Sequence, residues 1–213
     1  MMMKRGYIRN IMSKKVSVIV PYNVDRGFLN NCVKSIENQS YPNVELILSQ
    51  SDENVSVNFN RGLYKATGDL VKFVCEDDWL PEDAIENLVK GLGDGDWICA
   101  NAYQVDNGQW VYKPGDLSFP SMVTQNQIHG GTTLYKMDLI TYVGGLDESL
   151  TTGEEYDMHL KLYAMDIYPK YLDKEVYYHR LWSGQKSKIL RTQRKKWRDG
   201  EIKRIQARYI NAL

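Results

Sequence analysis

Glu76, Asp77 and Asp78 place three carboxylates in succession directly behind the apolar run Phe73-Val74-Cys75, with Trp79 next. A buried strand that ends in clustered carboxylates can hold a divalent cation at its carboxyl edge. Hard cations such as Mg²⁺ and Mn²⁺ take oxygen ligands, commonly one or two carboxylates plus substrate phosphates. Taken alone, the same residues also read as a solvated acidic turn. A second acidic group, Glu154-Glu155 with Asp157, opens a stretch of helical spacing. His179 follows a tyrosine-rich run and by itself reads as a histidine satisfied by a neighbour.

These groups do work only if the chain brings them to one place. Val16 to Val20 reads as a buried strand stopping at Pro21, with Pro21-Tyr22-Asn23 as its loop. Phe28, Leu29, Cys32, Val33 and Ile36 recur at helical spacing. Val44 to Leu48 is a second strand, followed by the loop Ser49-Gln50-Ser51-Asp52. Val55 to Ala66 reads as a helix ended by Gly68, and Leu70 to Val74 as the third strand. Strand, helix, strand, helix, strand with short loops implies a parallel sheet with right-handed crossovers. Ligands of such sheets bind beyond the carboxyl ends of the strands, so the three loops share one edge. That placement turns the acidic turn into a candidate site. No GxGxxG follows the first strand and no GxxxxGK[ST] occurs, so neither an NAD-type nor a P-loop phosphate site is supported.

Further along, Pro81 is placed in the first turn of a helix. Asp96 to Tyr103 reads as a strand, with a hairpin signal at Asp106-Asn107-Gly108-Gln109 leading into Trp110-Val111-Tyr112. Lys113 to Gln127 has no clear period and reads as a loop. Gly130-Gly131 suggests close backbone approach before a strand, Gly144-Gly145 marks a turn, and Glu154 to Met165 is helical. Val176 to Arg180 is a late strand. Gln185 to Leu213 reads as one basic helix with few aromatics.

Length and composition fit one large domain, or one domain with an appendage: 213 residues, 43% hydrophobic and 25% charged. The 27 basic and 27 acidic residues cancel, so no global field points to nucleic acid, and no nucleic-acid partner is expected. The three cysteines are widely spaced in apolar contexts, which speaks against a disulfide framework and for a reducing compartment. Met1 to Ser13 lacks the apolar region of a secretory signal and no run is long enough to span a bilayer, so a cytoplasmic protein is expected.

The order of these stretches resembles the GT-A fold glycosyltransferases, and among them the large family 2 of inverting, nucleotide-sugar-dependent enzymes. Val16 to Asn23 is similar to that family's first strand and loop. Gln39 to Asn43 with Val44 to Ile47, Asn60-Arg61-Gly62 with Ala66-Thr67-Gly68, Cys75 to Asp78, and Gly144 to Glu148 with Glu154 to Asp157 are similar to its later segments. A fainter resemblance is to the first domain of multidomain glycosyltransferases of large algal viruses. The resemblance implies an α/β, Rossmann-like, mainly parallel sheet flanked by helices over residues 14–184, with a nucleotide half to about residue 105 and an acceptor half from 106. Residues 185–213 would form a C-terminal helical extension.

It further implies a nucleoside diphosphate sugar donor, UDP-linked, a glycan acceptor, and Mn²⁺ or Mg²⁺. Pro21, Tyr22, Asn23, Gln50, Ser51, Asp52, Asn60, Glu76 and Asp77 would form the nucleotide side. Asp77 and Asp78, with His179, would hold the metal, and Glu155 would be the base. Trp79, Gly130, Gly131, Asp147 and Glu154 would face sugar or acceptor. Three positions depart from the family pattern. Gln50 and Ser51 stand where two aspartates are frequent, Cys75 stands where the metal motif has its first aspartate, and Glu155 replaces an aspartate. Retaining transfer on the same fold, a binding domain without turnover and a nucleotidyltransferase are the rival readings. The basic helix is read as packed on the body, in contact with an anionic membrane surface, or as a connector to a further domain.

Overall fold

The computed structural model describes residues 13–105 and 109–212. Most of the opening segment, the hairpin signal at Asp106–Gly108 and the side chain of Trp110 lie outside what it describes. The chain runs β1 (Val16–Tyr22), α1 (Leu29–Glu37), β2 (Val44–Gln50), α2 (Val55–Lys65), β3 (Leu70–Phe73), α3 (Ala84–Leu92), β4 (Trp97–Val105) and β5 (Gln109–Tyr112). It continues through α4 (Phe119–Thr124), a 3₁₀ turn (Gly130–Thr132), β6 (Leu134–Lys136), α5 (Met137–Val143), α6 (Glu154–Tyr163), β7 (Lys170–Arg180), α7 (Lys186–Thr192) and α8 (Lys195–Tyr209).

Seven strands form one sheet in the order β2-β1-β3-β6-β4-β5, with β7 paired to β4. β1 pairs in parallel with both β2 and β3, because buried α1 and α2 carry the chain back across the sheet. Val16, Val18 and Val20 face a core built with α1 and α3, while Ile19 faces a second core built with α2, α4, α5, α6 and α8. Period-two alternation on a strand buried on both faces explains why β1 reads as an unbroken apolar run. β6 runs antiparallel between β3 and β4, and β5 runs antiparallel to β4. The sheet is therefore mixed, and the expectation of a mainly parallel sheet describes the nucleotide half and the β4–β7 pair.

Four local readings are corrected. Pro21 and Tyr22 are the last residues of β1 rather than loop, paired with Ser49 and Gln50 of β2. Pro81 lies ahead of α3, in a turn whose carbonyl accepts the Ala84 N–H at 3.1 Å. The segment 113–127 contains α4, whose N-cap Ser118 side chain accepts the Ser121 N–H. A six-residue helix shows no usable period in sequence; its cap is the signal. The basic C-terminal stretch is two helices, parted at Gln193 and Arg194, not one. Among the described residues no helix is long and apolar enough to cross a membrane.

Candidate active site

β3 ends three residues short of β1: Phe73 pairs with Ile19, whereas β1 runs on to Tyr22. The Val74 N–H still reaches the Ile19 carbonyl at 3.0 Å, and the chain then turns away from the sheet. The turn Cys75–Asp78 thus sits at the carboxyl edge, beside the end of β1. The Cys75 thiol and the Asp77 and Asp78 carboxylates bring ligand atoms within 4.8 Å of one another, and His179 is not part of that group.

The three carboxylates have different partners. Glu76 is ion-paired to Arg26 at 2.6 Å, and Arg26 also reaches the Asn23 side chain at 3.1 Å. Burial, then the neighbouring Asp77 charge, pushes the Glu76 carboxyl upward. Asp78 is buried, and both its oxygens accept hydrogen bonds: Oδ2 from the Tyr177 hydroxyl at 2.6 Å and Oδ1 from the Arg180 N–H at 2.8 Å. Desolvation, and next the charge of Asp77, holds its pKa well above the ordinary carboxylate range. Asp77 accepts the Trp182 indole N–H on Oδ2 at 2.8 Å, and among the described residues its Oδ1 has no hydrogen-bond donor. A hard cation needs few protein oxygens when phosphates supply the rest. Asp77 Oδ1 with the remaining lone pairs of Asp78 fits that demand. The Cys75 thiol does not, since a soft sulfur is a poor ligand for a hard cation.

An arginine fixes this turn from above. The Arg180 guanidinium stands 4.6 Å from the ring centres of both Phe28 and Trp79, and its Nε donates to the Asp77 carbonyl at 2.8 Å. Trp79 also stacks on Tyr178 at 5.3 Å. The Trp79 ring is therefore engaged with Arg180 and Tyr178.

Glu155 lies in the first turn of α6. Its carboxylate packs beneath Gly130, where an added Cβ would come within 2.9 Å of Oε1. Desolvation raises its pKa to about 7, with the Glu154 charge as the second cause. Glu154 itself is buried and paired to Lys186 at 2.7 Å. The Gly130–Gly131 turn links the two acidic groups: Gly130 lies against Glu155, and Gly131 against Tyr177, which is bonded to Asp78.

On the nucleotide side, Tyr22 reaches Gln50 Oε1 at 3.4 Å and Gln50 reaches the Asn23 carbonyl at 3.3 Å. Ser51 donates to Asn58 at 2.6 Å, and Asp52 is exposed beside them. Pro21, Tyr22, Asn23, Gln50 and Ser51 are thus brought together. Other expected residues are engaged elsewhere. Asn60 holds the turn after α5, donating to the Leu146 carbonyl at 2.9 Å and to Glu148 at 3.0 Å. Asp147 caps Ser149 and pairs with Arg208 at 3.0 Å. Both His179 ring nitrogens meet glutamines, Gln104 at 3.1 Å and Gln185 at 2.9 Å, and burial lowers its pKa to about 4. Gly130 lies against Glu155 and Gly131 against the Tyr177 ring.

Sequence reading did not single out Arg26, Asn58, Lys72, Tyr177 or Arg208. Lys72 carried a signal, as a lysine inside a four-residue apolar strand; the others had none in a single sequence.

Residues 47–143 match the family model described as Glycosyl transferase family 2. The glycosyltransferase GlyA of Streptococcus pneumoniae is 25% identical over 84% of this chain and 32% of its own length. A GalNAc(5)-diNAcBac-PP-undecaprenol beta-1,3-glucosyltransferase of Campylobacter jejuni is 30% identical over 38% of this chain and 35% of its own. The chain thus spans about a third of the length of each. Among solved structures, S. aureus TarS 1-349 in complex with UDP-GlcNAc gives a TM-score of 0.65 at 18% identity, covering 80% of this chain and 60% of that one. The mannosyltransferase PcManGT of Pyrobaculum calidifontis, in complex with GDP-Man and Mn2+, gives 0.65 at 16% identity, covering 93% and 70%. These structural likenesses establish a shared GT-A fold. None of these proteins is viral.

Proposed function

We propose that this chain, a GT-A, family 2-like glycosyltransferase by sequence match and fold, transfers a sugar from a nucleoside diphosphate to a hydroxyl of a glycan. One observation carries the reading: the Gly130–Gly131 turn packs against the Glu155 carboxylate on one side and on the other against Tyr177, whose hydroxyl is bonded to Asp78. The first donor to test is UDP-linked, the class bound in the TarS complex with UDP-GlcNAc.

The end of β1 and the β2 loop, with Tyr22, Asn23 and Gln50, would seat the nucleotide. Asp77 and Asp78 would hold Mn²⁺ or Mg²⁺, which when bound supplies positive charge for a leaving diphosphate. Glu155 would take the proton as the acceptor O–H bond breaks. The acceptor oxygen then bonds to the anomeric carbon while the carbon–oxygen bond to the diphosphate breaks, with inversion. A carboxyl near pH 7 matches that task, because about half is in the base form at neutral pH and its proton affinity is higher than that of an ordinary carboxylate.

The test is calorimetry with Mn²⁺ and UDP, GDP or their sugars, followed by nucleotide release. Asp77→Ala is expected to abolish Mn²⁺-dependent nucleotide binding. Glu155→Gln is expected to keep binding and lose transfer at least ~100-fold. Absence of binding to every nucleoside diphosphate would overturn the donor-site reading, and full transfer by Glu155→Gln would favour a retaining enzyme. Binding by the parent without turnover on any acceptor favours the binding-domain reading, for which the sealed oxygens of Asp78 are the supporting observation.

A further inference from the structure

We infer that Lys72 is a positioning residue, which from inside the core fixes the Gly130–Thr132 turn against Glu155. The inference relies on the glycosyltransferase reading for what the turn serves, but not for the geometry.

β3 is four residues long and buried throughout, and Lys72 within it has no solvent exposure. No carboxylate pairs with its ammonium among the described residues. Its partners are the carbonyl of Gly131 at 2.6 Å, the carbonyl of Thr133 at 3.3 Å and the face of the Tyr177 ring at 5.5 Å. An ammonium buried without a counter-ion is destabilising, and a methionine would fill similar space without that cost. Burial accordingly lowers its pKa to about 7. The feature that explains a lysine here is what its N–H groups hold.

They hold a turn squeezed from two sides. A Cβ on Gly131 would lie 2.3 Å from the Tyr177 ring, and one on Gly130 would lie 2.9 Å from Glu155 Oε1. A side chain at Gly131 would displace the Tyr177 ring, and one at Gly130 would push the Glu155 carboxylate aside. The same Tyr177 accepts the Cys75 N–H at 3.2 Å and donates to Asp78. A single stack therefore runs from the Asp78 carboxylate through Tyr177, Gly131 and Gly130 to Glu155, with the Lys72 ammonium bonded to its middle. Without that ammonium the Gly131 and Thr133 carbonyls lose a charged donor, and the turn is free to shift away from Glu155.

Hydrogen exchange reads the position of the turn without needing a substrate. The Thr132 N–H bonds to the His129 carbonyl at 2.9 Å and the Thr133 N–H to Gly130 at 3.2 Å. In Lys72→Met these two amides are expected to exchange at least about fivefold faster, with β1 and β2 amides changed less than about twofold. Nucleotide release from UDP-GlcNAc or GDP-mannose, with Mn²⁺ and p-nitrophenyl glycosides as acceptors, is expected to fall by about fivefold or more in kcat, with donor affinity held within about twofold. Exchange at Thr132 and Thr133 that rises less than fivefold overturns the inference. Uniform loosening of the sheet also overturns it, because Lys72 is then a general core residue. Where Lys72→Met does not fold, Lys72→Gln takes the same measurements, and failure of both to fold likewise overturns it. A parent protein inert toward every donor defeats the transferase reading instead, and the exchange result still decides the role of Lys72.

Discussion

Glu155 is held in a form that works against the stability of the fold. Its carboxyl moves from 4.5 to about 7, first through desolvation and then through Glu154. A folded-state pKa above the unfolded one means that the favourable contribution is complete below pH 4.5 and is lost as pH rises through about 7. The loss amounts to about 3 kcal/mol. Glu155→Gln is therefore expected to raise the melting temperature at pH 8 and leave it nearly unchanged at pH 4, while transfer is lost. Equal effects at both pH values would mean that the carboxyl is not held near neutrality. The same sign sets the activity profile: the base form accumulates as pH rises through about 7, so the rate climbs there. At this scale the acidic residues themselves were legible, because three successive carboxylates behind an apolar run and a Glu-Glu pair are visible in any single sequence. Their states were not. The seal on Asp78 comes from Tyr177, 99 positions away, and the glutamine facing His179 Nδ1 is 75 positions away. No spacing rule links such residues.

The first five elements were read with nearly correct bounds because β1 and β3 are apolar runs buried on both faces, β2 is a run of half-buried Val44, Leu46 and Ile47 ending in the exposed Leu48, and each helix has a periodic apolar stripe. β6 and α4 were not, since three strand residues and six helix residues fall below the length at which period is informative. β6 takes its direction from β3 and β4, which only the assembled sheet supplies. The link between elements that matters most to the nucleotide side is Asn58, on the buried face of α2. Its amide donates to the carbonyls of Tyr22 at 3.1 Å and Ser51 at 3.1 Å, and its oxygen accepts from the Ser51 hydroxyl. One side chain thus pins the ends of β1 and β2 to a helix. Asn58→Ala would leave several buried polar groups without partners, at a cost of about 2–3 kcal/mol. The urea midpoint is expected to fall accordingly, and nucleoside diphosphate affinity to fall about tenfold or more, since both loops lose their anchor. A stability loss with unchanged affinity would remove these loops from the nucleotide wall.

Across the whole molecule, the formal neutrality of the chain conceals an acidic body clasped by a basic C-terminal segment. Ile205 is fully buried against α4 and α6, with Ile202 and Tyr209 packed beside it. Gly153, at φ +75°, leaves no room for a Cβ beneath Ile202 and Ile205. With its apolar residues used in this way, α8 keeps no continuous apolar face for a bilayer, and the expected membrane contact gains no support from the structure. Charge fixes the same contact. Arg208 lies between Asp147 at 3.0 Å and Asp157 at 2.9 Å, and Asp157 is 6% exposed. Desolvation already raises the Asp157 carboxyl, and Arg208 is the first group opposing that rise. Removing Arg208 should push it higher still. The sign then gives a pH signature: the carboxylate is costly only while it is charged, so Arg208→Met is most destabilising above neutral pH and becomes milder as pH falls and Asp157 takes a proton. With Arg208 partly exposed, the expected loss at pH 8 is about 1–2 kcal/mol rather than the larger value of a fully buried pair. The double variant Arg208→Met with Asp157→Asn should recover much of the loss, because no charge is then left unpaired. Thermal melts of the four proteins of this cycle at pH 5 and pH 8 check the account. A loss independent of pH, or no recovery in the double variant, would show that α8 is held by its apolar contacts alone.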